Sequence, residues 1–203
     1  MPQLSVLTLF WLLGQQPLSA QQRPIETRRF AIDIAGARIG SMTVTRQLMP
    51  GNEVIYTQIS DVRVNFLIYK VKVYYKVVSL FRQGQMINAT VDAQTNKGNY
   101  ASRTVWKGDH YDIEANQYKY TRKSTEPRKI DYTVTMLYFS EPTGKQRVYA
   151  EYFGDYFNLT SALRSDYKAR LDDREDEYIY EKGRLVKVIK KNALKNFVIR
   201  PLD

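Results

Sequence analysis

Tyr69-Lys70-Val71-Lys72-Val73-Tyr74-Tyr75-Lys76-Val77-Val78-Ser79-Leu80-Phe81-Arg82, followed by Gln83-Gly84, decides the fold. Val71, Val73, Tyr75 and Val77 share one parity, and Lys70, Lys72 and Lys76 share the other. Side chains point alternately to opposite faces of a strand, so this order makes one apolar and one basic face. Wound as a helix, the same residues would scatter valines and lysines around the whole circumference. Valine and tyrosine also favour a pleated, half-buried surface. Gln83-Gly84 has the chemistry of a tight hairpin, so a second strand is expected to return beside the first.

The same period extends outward in both directions. Phe30, Ile32 and Ile34 alternate with Arg29, Ala31 and Asp33, and Gly36 turns the chain into a strand over residues 38–48. Pro50-Gly51-Asn52 is a turn before residues 53–64, read as a strand or strand pair. Further strands are expected over residues 85–95, 99–106, 111–120 and 130–139, with turns at Lys97-Gly98 and Gly108-Asp109. Lys182-Gly183 joins residues 177–181 to 184–190, and residues 194–200 close the series. Helical patterning is confined to a short turn over residues 158–164. The expected fold is all-β: an antiparallel meander of about ten to twelve strands with short loops. A sheet of that width must curl or split, so half-barrel, closed barrel and two-layer sandwich all remain open.

Composition narrows the chemistry. The chain has 203 residues, no cysteine and one histidine, His110. These counts exclude thiol catalysis, cysteine-held zinc, iron–sulfur clusters, disulfide frameworks and multi-histidine metal sites. Leu4-Ser5-Val6-Leu7-Thr8-Leu9-Phe10-Trp11-Leu12-Leu13 is an apolar run too short to span a bilayer. Ending at Leu18-Ser19-Ala20, it fits a secretory signal peptide over residues 1–20, although Met1-Pro2-Gln3 carries no cation. Cleavage after Ala20 is expected, leaving one β-rich domain over residues 21–203 in a periplasm or extracellular space. No later apolar run reaches the length of a transmembrane helix.

Lys+Arg number 31 against 21 Asp+Glu, a formal net charge of +10. Lys70, Lys72 and Lys76 form a basic sheet face, and Lys119, Arg122 and Lys123 a second basic group. These six residues are the candidate ligand contacts, because such a face attracts anions. Tyr69, Tyr74, Tyr118 and Tyr120 interleave with them and suit base stacking. Export nevertheless points away from nucleic acid and toward lipid head groups, lipopolysaccharide or acidic glycans. The plain alternative is a solvated outer face whose lysines block edge aggregation.

His110, beside Asp109 and near Asp112, sits at a hairpin tip, where an exposed histidine needs no function. Asp172-Asp173-Arg174-Glu175-Asp176-Glu177 is rich in carboxylates but lacks the glycine and ligand alternation of a calcium loop. A solvated acidic hairpin is expected there, with no metal and no cofactor. No nucleophile elbow, phosphate loop or zinc-helix motif occurs.

Four segments carry a family resemblance. They are Gly36-Ala37-Arg38-Ile39-Gly40-Ser41-Met42-Thr43-Val44-Thr45-Arg46, Leu137-Tyr138-Phe139-Ser140-Glu141-Pro142, Glu151-Tyr152-Phe153-Gly154 and Tyr178-Ile179-Tyr180-Glu181-Lys182-Gly183-Arg184-Leu185. With them the chain resembles a family of exported bacterial proteins known as a domain of unknown function. The resemblance implies export and an all-β fold and transfers no active site. The segments also have structural readings, with glycines at turns and Pro142 ending a strand. The functional expectation is a non-enzymatic binding or carrier module of the cell envelope, with a curved sheet holding an amphiphile. A structural or protein-interaction module is the second reading, and a metal-independent hydrolase the third.

Overall fold

The computed structural model of the chain describes residues 25–66, 69–118, 120–161, 165–191 and 195–202. The expected signal segment, Lys119, the end of the expected turn at residues 162–164 and the expected strand start at Leu194 lie outside them. The described residues form fourteen strands in one sheet. The first eight are β1 (Ile25–Ile34), β2 (Ala37–Met49), β3 (Glu53–Phe66), β4 (Tyr69–Arg82), β5 (Gln85–Thr95), β6 (Gly98–Trp106), β7 (Tyr111–Gln117) and β8 (Tyr120–Glu126). After a connecting segment come β9 (Arg147–Ala150), β10 (Asp155–Ser161), β11 (Asp166–Leu171), β12 (Arg174–Glu181), β13 (Arg184–Lys190) and β14 (Phe197–Pro201).

All neighbouring strands pair antiparallel, in the order β8-β7-β6-β5-β4-β3-β2-β1-β14-β13-β12-β11-β10-β9. The two terminal strands therefore meet mid-sheet, with Phe30 opposite Pro201 and Ile34 opposite Phe197. The free edges are β8 and β9, which are joined by residues 127–146. Gln83 (φ 50°) and Gly84 (φ 72°) form the turn expected from the sequence, both left-handed as a two-residue hairpin of the strand-compatible twist requires.

The sheet curls until its two ends face each other, without a ladder between them. Arg122 Nη1 on β8 donates to Asp155 Oδ2 at the start of β10 (2.6 Å). Thr104 Oγ1 on β6 lies 2.7 Å from Tyr149 Oη on β9, and Ser102 Oγ donates to Tyr152 O (2.8 Å). The result is an open, barrel-like half-shell. Small side chains on the inner face, Ser79, Ala89, Ala93, Ser102 and Ala115, are all buried and make room for the β9–β10 turn. Gly154 occupies that turn at φ +62°, where an added Cβ would lie 2.5 Å from Ile113 Cγ2 of β7.

Residues 127–146 do not form the strand expected over residues 130–139. They enter one end of the shell as a plug containing a single 3₁₀ turn, Val134–Tyr138. Thr133, Thr135, Leu137 and Tyr138 are all buried, so both parities face protein and neither faces water. Tyrosine hydroxyls anchor the plug's backbone. Tyr180 Oη donates to Leu137 O (2.7 Å), and Tyr132 Oη to Ser140 O (2.9 Å). Tyr111 Oη accepts from Ile130 N (3.3 Å) while donating to Met86 O (2.7 Å). Ile130, Leu137 and Phe139 of the plug share one core with Tyr56, Phe81, Tyr111 and Tyr180 of the sheet.

Two other expectations change. The stretch expected as one strand over residues 111–120 is β7 plus the start of β8. Asn158 lies within β10 rather than capping a helical turn, because it pairs with Arg147 and Arg170 in the ladders on either side.

Candidate functional site

The plug fills one end of the shell and leaves a cavity of about 1210 Å³ at the other. Ile32, Met42, Val62, Val73, Ala93 and Ile199 supply its sheet walls. Tyr152, Phe153 and Phe157 supply its opposite side. These positions follow from strand parity: Val73 and Tyr75 of β4 turn inward, and Lys72 and Lys76, which flank them, turn outward.

Antiparallel topology sets the mouth. Ala35, Ala37 and Arg38 at the β1–β2 turn, Arg63 and Val64 near the end of β3, Tyr118 after β7, and Lys195 before β14 all line the cavity from the same end of the shell. Arg38, Arg63 and Lys195 are exposed there. Arg63 Nε lies 3.3 Å from Asp61 Oδ1, and Arg38 Nε donates to Gly40 O (3.3 Å), so both guanidinium groups are held at the rim. Three cations around an apolar opening raise the local potential for an anionic group.

The cavity also has a polar lining. Glu151 and Tyr138 line it, as do Asp176 and Lys190, which share a ladder rung with Phe197, Ile34 and Ala37 toward the mouth. Glu151 is only 3% exposed, and its Oε1 accepts from Ser79 Oγ (3.5 Å) and Thr135 N (3.4 Å). Burial pushes the Glu151 carboxyl up from the usual carboxylate range, and hydrogen bonds from its surroundings only partly oppose this. Lys190 Nζ donates to Asp176 Oδ2 (2.5 Å). Burial disfavours the Lys190 ammonium, but the charge and hydrogen bond of Asp176 together with Tyr138 outweigh it and leave the lysine above its ordinary value. Burial also pushes the Tyr138 hydroxyl up to about 12.

The residues expected from sequence do not converge on this cavity. Lys70 and Lys72 are exposed and Lys76 is half-buried, all on the parity of β4 opposite Val73 and Tyr75. They form the outer, convex face. Lys123 also points outward, where its Nζ pairs with Glu114 Oε1 (3.0 Å). Arg122 points inward, but its guanidinium is engaged with Asp155. His110 sits in the β6–β7 turn at the end opposite the mouth, with Nδ1 2.6 Å from Asp109 Oδ1 and Nε2 3.3 Å from Asp112 Oδ1.

The acidic run is not a solvated loop. Only Asp172 and Asp173 form the turn, while Glu175, Asp176 and Glu177 belong to β12. Glu175 pairs with Arg170 and Lys191, and Glu177 pairs with Lys191 (3.3 Å). Arg174 folds over the Phe153 ring at 4.8 Å. Among the described residues, no group of three or more histidine, cysteine or carboxylate side chains is placed to hold a metal. Sequence reasoning places Glu151 only within a family segment. Its signal is a lone carboxylate in Val148-Tyr149-Ala150-Glu151-Tyr152-Phe153-Gly154, an otherwise uncharged stretch that a core would claim.

Comparison with curated proteins gives no match. Among solved structures, the chain is similar to a beta-barrel-like protein of the domain of unknown function DUF1849 from Brucella abortus. The TM-score is 0.52 at 7% identity, over 88% of this chain and 95% of that one. At that identity the likeness concerns the fold, and it agrees with a curled, barrel-like sheet. Residues 30–202, from the first buried phenylalanine of β1 to just past β14, match the family described as Domain of unknown function (DUF6134), and the chain belongs to that family.

Proposed function

We propose that this protein is an exported, non-enzymatic carrier that holds the apolar part of an amphiphile inside its half-shell. In this reading residues 1–20 direct export and are removed. The supporting observation is the cavity: about 1210 Å³, walled by aliphatic and aromatic side chains and open at a cationic rim. Pockets for drug-sized ligands run to roughly 1,000 Å³, so this volume suits a lipid-sized one. A chain of about sixteen methylenes gains roughly 13 kcal/mol on leaving water, at ~0.8 kcal/mol each. About 5 kcal/mol lost to association and ordering leaves roughly 8 kcal/mol, a micromolar Kd.

The head-group contacts belong to Arg38, Arg63 and Lys195 at the mouth in this reading. Lys70, Lys72 and Lys76 serve instead as an outer face that keeps the sheet from self-association or meets an anionic surface. The test is to express the full chain in a bacterial host, purify it without detergent, and compare native with denaturing mass spectra. A mature chain beginning at Gln21 with additional mass lost on denaturation is the expected result. A bare chain that also fails to displace a fluorescent fatty-acid probe would overturn the carrier reading.

A further inference from the structure

The cavity wall carries polar groups that a simple alkyl chain would leave unmatched. Tyr138 is 0% exposed and lines the cavity, yet its hydroxyl has no hydrogen-bond partner among the described residues. Tyr178, packed 6.5 Å from it ring to ring, is also fully buried with an unpartnered hydroxyl. Buried polar groups are nearly always hydrogen-bonded, so an orphan hydroxyl on a side chain that lines the cavity needs an explanation. It costs free energy unless something in the cavity satisfies it.

The ring of Tyr138 is held firmly. Phe30 meets it edge-on at 5.3 Å, and Arg28 Nη1 donates to its backbone carbonyl (2.9 Å). Around it stand Glu151, Asp176 and Lys190, all lining the same cavity. Lys190 and Asp176 neutralise each other at 2.5 Å. Burial of Glu151 favours its uncharged form, which both donates and accepts. The Lys190–Asp176 pair carries no net charge, and the groups around Tyr138 offer hydrogen bonds. A carboxylate or phosphate placed there would lose its hydration and meet a lysine already neutralised by Asp176, whereas a hydroxyl meets matched partners.

We infer that the ligand carries an uncharged hydroxyl on its buried portion, which Tyr138 and its polar neighbours recognise, while its anionic end remains at the Arg38, Arg63 and Lys195 rim. This rests on the carrier reading and narrows its ligand class to hydroxylated amphiphiles. One added hydrogen bond between neutral groups is worth about a factor of ten in affinity, at the upper end of the usual range.

The test compares binding of palmitate and its ω-hydroxylated counterpart by displacement of a fluorescent fatty-acid probe, with mid-chain hydroxylated stearate as a positional control. At least one hydroxylated chain is expected to bind about tenfold more tightly than its plain counterpart. Tyr138→Phe is expected to remove that preference, so that plain and hydroxylated chains bind the variant equally. It should not lower the melting temperature of the empty protein, because the deleted hydroxyl has no partner to lose. Equal binding of plain and hydroxylated chains in the wild type would overturn this inference and leave the carrier reading intact. Binding of neither would overturn both.

Discussion

Gly154→Ala tests the closure of the shell directly. Gly154 lies in the β9–β10 turn at φ +62°, a conformation that costs an alanine about 1–2 kcal/mol. Its added Cβ would stand 2.5 Å from Ile113 Cγ2, and Ile113 is only 3% exposed on the inner face of β7. Forcing a methyl into such a site costs about 1–3 kcal/mol more. The sum is about 2–5 kcal/mol. With a urea m-value of roughly 2–3 kcal/mol/M, the unfolding midpoint should fall by about 1 M or more. A double-mutant cycle separates the two parts. In an Ile113→Ala background the steric cost disappears and only the backbone cost remains, giving a coupling of about 1–3 kcal/mol. This coupling joins two segments that share no ladder and lie near opposite edges of the sheet. If Gly154→Ala costs the same in both backgrounds, or under about 0.5 kcal/mol in the wild type, the contact between turn and sheet is wrong and so is the curl.

Three further outcomes follow from the same geometry. Glu151 has a folded-state pKa above its ordinary value of 4.5, so its contribution is intact below that value and lost as pH rises through the folded one. Glu151→Gln should therefore gain stability over the wild type as pH rises between those two values, with a slope approaching about 1.4 kcal/mol for each pH step of one; thermal melts at acidic and neutral pH that move in parallel would refute this. Gly40 lies inside β2 rather than in a turn, and a Cβ there would clash with the backbone oxygen of Asp61 on β3. Gly40→Ala should cost about 1–3 kcal/mol and appear as a lowered Tm, with an unchanged Tm as the contrary result. Val73→Trp fills the cavity from β4 and should weaken displacement of a fatty-acid probe at least about tenfold, whereas Lys72→Glu on the outer face of the same strand should leave it unchanged; equal effects would place the ligand elsewhere.

Strand parity is readable in the sequence because it is local. Lys72, Val73, Tyr75 and Lys76 already say which side chains of β4 share a face, and the structure turns Val73 and Tyr75 into a cavity wall. Parity does not say what lies against that face. The basic residues look like ligand contacts because charge is conspicuous, yet the convex face needs charge merely to stay in water. The groups that do line the cavity, Glu151 and the Lys190–Asp176 pair, sit in β12, β13 and the turn after β9, and only the curl of the sheet brings them together. The plug escapes a reading by parity for a related reason. Tyr132, Val134, Met136 and Tyr138 alternate, but the intervening Thr133, Thr135 and Leu137 are no more suited to water than to a core. A real half-buried strand has a polar second face, as β4 does with its lysines. Where the second parity is threonine and leucine, the segment has no solvent side and belongs inside something. Here it is inside the shell, with tyrosine hydroxyls from β7 and β12 meeting its backbone. Tyr111 and Tyr180 suit this role: an inserted, non-ladder segment exposes carbonyls and amides within a core, and tyrosine is an apolar side chain that brings a hydrogen bond to meet them. Tyr138 brings a hydroxyl that no group among the described residues meets, and it stands on the wall of the cavity that the plug leaves open.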